Sequence, residues 1–336
     1  MSAVQSIVFC SVLWLFFLLV LRILLKSEMY HIRKNHRILI QPVRIVYEML
    51  AANDILATVN CKSSSYWFDT WLWCGVFVMI VSLVLTTLYS LYYAALLFIA
   101  FTASTEESTG ALEGHSISAL IPGVNYPPEE LPILTFCMLM MFICHEMGHA
   151  SAAYHFGVEV TSFGVFLTFI FPGAFITIDN SHKTLSSWTQ VKLYSAGIMN
   201  NYLLAGIFMI IYLLMQSTDL LTTFWFYDKF VFILWLNIQL NLSLALLNSL
   251  PVLGLDGGKV LKTLMQTYTS RKDMESNGAN TITNTSLALK FVDTEKLNTY
   301  NRWTLYVCTG FYALLFIAVA LQKLNGTEFT TSSTSS

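Results

Sequence analysis

The sequence predicts an α-helical polytopic membrane protein of about six transmembrane spans. A small membrane-embedded β-hairpin segment and a re-entrant or broken-helix region are expected beside the spans. Composition points there first: of 336 residues, 55% are hydrophobic and only 11% are charged, against about 25% in soluble globular domains. The second pointer is a series of apolar runs near the ~20 residues that a spanning helix needs. The third is a stretch rich in Val, Thr, Phe and Ile between residues 160 and 179, which reads as extended chain. With 18 basic and 20 acidic residues the formal net charge is −2. That balance offers no basic footprint for a phosphate backbone, so nucleic acid is not an expected partner. The six Cys contain no CxxC pair and sit mostly in apolar runs, as small core hydrophobes do.

The first run, Val4 to Leu25, has no basic n-region and no small-residue cleavage site, so it reads as a retained span. Residues 1–66 are taken as this span with a polar loop carrying Lys26, Arg33, Lys34, Arg37, Arg44 and Lys62. Residues 67–130 hold an apolar block, 71–103, and an acidic loop without Lys or Arg. The block is too long for one untilted span, and reads either as one tilted helix or as a helix with a re-entrant half. If it crosses once, the positive-inside rule places loop 26–66 in the cytosol and loop 104–130 on the lumenal side. A core follows over 131–268, then a polar loop over 269–302, and a final span with a Ser/Thr-rich tail over 303–336.

Within the core, Pro132 after two glutamates opens a helix that Gly157 closes. Pro172-Gly173 lies in the middle of the extended stretch and favours a hairpin. As a sheet edge, Ser162 to Ile178 could capture an unwound substrate strand. Spans at Val191 to Met215 and Phe224 to Leu250 come next, and Pro251 breaks the second before Gly254, Asp256, Gly257 and Gly258.

The chemistry is concentrated in His145-Glu146-Met147-Gly148-His149. On a helix, positions i and i+4 share a face, so both imidazoles can bind one metal ion. Glu146 lies beside them, suited to taking a proton from metal-bound water. The motif falls about 20 Å along an apolar helix at 1.5 Å per residue, and ionisable side chains at such depth are functional by default. A catalytic zinc takes three protein ligands and one open position. His155, about 240° around the helix from His149, faces elsewhere. Asp256 is the acid to weigh: it stands in a Gly-rich turn just beyond a Pro-broken span, a way to place a ligand at depth. The same carboxylate could instead cap the turn that follows it.

Taken together, these residues resemble the site-2 protease family of intramembrane zinc metalloproteases, in its eukaryotic form. The matching pieces are His145 to His149 and Asn248-x-x-Pro251-x-x-x-Leu255-Asp256-Gly257, with Gly197-x-x-x-Asn201 and Ile121-Pro122-Gly123-Val124-Asn125. Phe163-Gly164-Val165-Phe166-Leu167 and Pro172-Gly173-Ala174-Phe175 also fit. The resemblance implies one Zn²⁺ per chain on His145, His149 and Asp256, with Glu146 catalytic and Asn201 near the scissile carbonyl. It implies single-span membrane substrates, transcription factors already cut once on the lumenal side, and a Golgi or endoplasmic reticulum membrane. One departure is clear: residues 217–229 leave no room for the lumenal insert that many members carry. Read from the residues alone, Asn201 is either an amide donor to an oxyanion or a helix–helix contact, and Asn237, Asn241 and Asn248 fall on one helix face as interhelical glue. The rival readings are a zinc transporter or metal-binding channel, and an inactive scaffold of the same fold.

Overall fold

The computed structural model describes residues 29–33, 35–41, 44–50, 66–103, 128–168, 171–217, 227–277 and 302–319, with a few single positions between 12 and 20 and Leu56. The expected first span, Val4 to Leu25, lies outside the described residues apart from those single positions. The elements in chain order are β1 (Met29–Arg33), β2 (His36–Ile40), β3 (Arg44–Met49), α1 (Tyr66–Ala103), α2 (Leu131–His155), β4 (Val160–Thr168), β5 (Phe171–Ile178), α3 (Ser187–Gln216), α4 (Tyr227–Asn248) and α5 (Asp256–Asn277). A last helix, α6, covers Arg302–Val319. Among the described residues, five helices, all but α5, are long and apolar enough to cross a bilayer. The chain is an integral membrane protein. The long apolar block is a single helix, α1, so the first of its two readings holds.

The chain divides into two compact units, Met1–Val78 with Leu120–Ala245, and Met79–Ala119 with Leu246–Ser336. In the first, β1 to β5 form one antiparallel sheet in sequence order. Residues 26–66, expected to be a polar loop, contribute three strands. The signal is obscured because an inward position of β3 holds a charge: Val46 and Glu48 are buried while Tyr47 is exposed. Glu48 stands opposite Arg37 on β2 and is bonded to it at 2.7 Å. Burial pushes the Glu48 carboxyl up, but hydrogen bonds from Arg37 and Ser162 and the Arg37 charge together hold it below the usual carboxylate value.

The hairpin at 160–179 is present as β4 and β5. Pro172 and Gly173 are not its turn; they pair with Leu167 and Phe166 inside β5. Pro is tolerated there because β5 is the sheet edge, where a missing N–H breaks no ladder. Helix α2 packs on α3 and on β4 and β5. Small residues make the α2–α3 contact close: Ala150, Ala152 and Ala153 are buried against Leu193 and Ala196. On the other side of α2, Leu134, Cys137 and Met141 pack with Leu236, Leu240 and Leu244 of α4.

In the second unit the chain turns from Ser249 to Leu255 between α4 and α5. The Leu253 N–H donates to Thr309 Oγ1 at 3.0 Å, and Thr86 Oγ1 lies 3.4 Å from Ser249 Oγ. Helix α5 extends as far as Asn277, into the stretch 269–302 expected to be a loop.

Candidate metal and catalytic site

Helix α2 carries the motif on its buried side. His145 and His149 are 5% and 7% exposed. Each ring is held from behind at Nδ1. His149 Nδ1 lies 2.9 Å from the Leu193 carbonyl of α3. A carbonyl only accepts, so Nδ1 carries the proton and Nε2 is a bare lone pair in the neutral ring. His145 Nδ1 lies 2.6 Å from Oδ1 of Asn201, also on α3, which calls for the same tautomer.

The consequence lies in front of the rings, where the two Nε2 atoms are 3.2 Å apart. With both Nδ1 protons directed backward, the two Nε2 lone pairs face one another, an arrangement that a shared cation suits. Two nitrogens on one tetrahedral zinc, each at about 2.0–2.1 Å, stand roughly 3.3 Å apart. The donor geometry therefore fits the ion. Space is reserved for it by Gly197 of α3: a Cβ there would sit 2.4 Å from His149 Nε2 and 2.8 Å from His145 Nε2. Gly148 makes the helix crossing itself possible, since its Cβ would meet the Ala196 carbonyl oxygen at 2.5 Å.

Glu146 is half-buried, and its Oε2 accepts from the Ile176 N–H of β5 at 3.2 Å. This brings the sheet edge to the carboxylate expected to act as base. No sequence signal could have shown the contact, because its donor is backbone. Asn201 is wholly buried; its oxygen faces His145 and its Nδ2 donates to Asn241 Oδ1 at 3.0 Å. Asn200 donates to the Cys144 carbonyl at 2.8 Å, tying α3 to α2 one residue ahead of the motif. His155 packs on the Phe68 ring 4.8 Å away, apart from the paired imidazoles, as its position on the helix requires.

Asp256 belongs to the second unit. It is 3% exposed, opens α5, and accepts from Lys259 Nζ at 2.9 Å. The turn before it folds back tightly: a Cβ on Gly257 would lie 2.2 Å from the Ser249 carbonyl oxygen. The first unit thus offers two buried imidazoles, His145 and His149, and the second a buried carboxylate, Asp256, all of them donor types that zinc takes.

A family model described as peptidase family M50 matches residues 133–232 and 222–292, spanning both the histidine motif and the Asp256 turn. Residues 133–292 are thus similar to peptidase family M50. The chain is similar to the Membrane-bound transcription factor site-2 protease homolog of Arabidopsis thaliana, at 31% identity over 40% of this chain and 24% of that protein. It is also similar to a Bacillus subtilis (strain 168) protein named for a zinc metalloprotease, YwhC, at 28% identity over 42% of this chain and 72% of that protein. The match thus spans about a quarter of the first relative and most of the second. No solved structure matches the chain.

Proposed function

We propose that the chain is an intramembrane zinc endopeptidase that hydrolyses a peptide bond within or near the transmembrane helix of membrane-tethered transcription factors. The observation that carries this reading is the 3.2 Å approach of two Nε2 atoms whose Nδ1 protons are both committed elsewhere, with Glu146 on the same helix. Asp256 is the third ligand in this proposal. Zinc bound there supplies Lewis acidity, bringing the pKa of water toward about 7 and polarising a carbonyl.

Glu146 takes the proton of the attacking water on a carboxylate oxygen and returns it to the leaving nitrogen. Its Oε2 accepts from the Ile176 N–H, and the carboxylate has further lone pairs with which to accept the proton of water. An oxyanion contact from Asn201 would use the second hydrogen of Nδ2, the first being directed at Asn241. A substrate helix has its amides paired internally and must unwind before it can be attacked, so helix-breaking residues in it lower the barrier. The β5 edge is the surface on which the unwound segment is laid as an added strand. The name of the Arabidopsis relative supports transcription factors as the substrate class. Substrates already cut on the lumenal side and a Golgi or endoplasmic reticulum membrane complete the proposal. A transporter would have no need of Glu146 as a base and would instead carry metal flux into liposomes.

Purified chain in detergent, given a single-span substrate, should cleave it and stop when zinc is chelated. Glu146→Gln should lower the rate by about 10²–10⁴-fold, the usual worth of a general base. Undiminished cleavage by Glu146→Gln would sink the mechanism.

A further inference from the structure

A side-chain amide presents either its oxygen or its nitrogen to a neighbour, depending on which way it is turned. What turns Asn201 so that its oxygen faces His145 is a chain of amides running away from the site into α4. Asn201 Nδ2 donates to Asn241 Oδ1 at 3.0 Å, and Asn241 Nδ2 donates to the Asn237 backbone carbonyl at 2.8 Å. Asn241 is 0% exposed, and Asn237 in turn donates from its own Nδ2 to the Ile233 carbonyl at 2.9 Å. The chain ends on a backbone carbonyl, which cannot donate. Turning Asn201 would bring two oxygens together at Asn241. Turning Asn241 as well would only move the clash to the Asn237 carbonyl. One sense of the whole chain leaves no acceptor facing an acceptor, and it is the sense that gives His145 a protonated Nδ1 and a bare Nε2.

We propose that Asn241 is a positioning residue for the metal centre: it fixes the sense of the Asn201 amide and thereby the tautomer of His145. His149 needs no such relay, because its Nδ1 meets a backbone carbonyl directly. The proposal rests on the reading of His145 as a zinc ligand. Partners that orient a ligating imidazole typically change metal affinity by about 10–100-fold when removed.

The test is zinc affinity of the purified full chain in detergent, measured by competition with a chelator of known affinity, with thermal unfolding of the zinc-stripped protein alongside. Asn241→Ala and Asn241→Leu both free the Asn201 amide to turn, and each should weaken zinc binding by about 10–100-fold. Asn241→Asp retains an oxygen toward Asn201 Nδ2 and, protonated in the apolar interior, an O–H toward the Asn237 carbonyl. It should bind zinc near the wild-type affinity even if its unfolding temperature drops. In an Asn201→Asp background the carboxylate accepts from His145 in either sense, so Asn241→Ala should cost little more. Wild-type affinity in Asn241→Ala, or equal weakening in Asn241→Ala and Asn241→Asp, would overturn the proposal. His145→Ala in the same assay separates the two claims. If that variant keeps full zinc affinity, the zinc reading itself has failed; if it loses zinc while Asn241→Ala does not, only the relay has.

Discussion

The two imidazoles on α2 are held by unlike means. His149 leans on a backbone carbonyl, which no side-chain substitution can remove. His145 leans on a side-chain amide whose own direction is set two residues further on, at Asn241 and the Asn237 carbonyl. The first anchor is as rigid as the helix that carries it. The second is a chain of choices, each correct only because the next one is. A donor site with one ligand fixed by the fold and another fixed by side chains should fail in two different ways.

The broadest way to break both anchors at once is from the front. Gly197→Ala puts a methyl group where the Nε2 atoms converge, and zinc affinity should fall by about 100-fold or more, at the upper end of what ligand-shell changes do. Titration with a competing chelator checks this, and an unchanged affinity would mean the space before the rings is not the metal position. Leu193→Ala then probes the fixed anchor. Leu193 is 1% exposed, so truncation should lower stability by about 2–4 kcal/mol. The carbonyl that holds His149 remains, so zinc affinity in the folded fraction should change little. Asn201→Leu probes the other anchor with the opposite signature: affinity lower by about 10–100-fold, with a smaller effect on unfolding. Were the two variants to give the same signature, the contrast between the anchors would be wrong.

The smallest effect lies away from both rings. Glu48 has a depressed carboxyl pKa in the folded sheet. Its contribution is therefore present above its unfolded pKa of about 4.3 and lost as pH falls through the lower folded value. Glu48→Gln should destabilise by about 1 kcal/mol or less, in the range of cross-strand charge pairs, and should flatten the acid limb of a stability–pH curve without altering zinc affinity at pH 7.

The sequence makes the helices and the donor types legible because both depend on local pattern. Apolar length marks α1 to α4 and α6, and the His145–His149 spacing puts two imidazoles on one helix face. What stays hidden depends on partners distant in the chain. Strands β1 to β3 escape notice because Glu48 fills an inward position that is acceptable only with Arg37 opposite it. The edge position of β5 escapes because Pro172-Gly173 reads as a turn when no register is known. Asn237 and Asn241 are legible as one polar stripe on α4, but their direction is not. It follows from a carbonyl of α4 and an amide of α3 that the sequence cannot place together.

The proposed function has one zinc ion on the Nε2 atoms of His145 and His149, with the Asp256 carboxylate proposed as the third ligand. X-ray absorption at the zinc edge of the purified chain, loaded with one equivalent of zinc, tests it most directly. Two imidazole nitrogens and oxygen ligands at about 2.0–2.2 Å are expected, with one imidazole lost in His145→Ala and an oxygen shell altered in Asp256→Ala. A first shell containing sulfur, or a spectrum unchanged in all of His145→Ala, His149→Ala and Asp256→Ala, would contradict it.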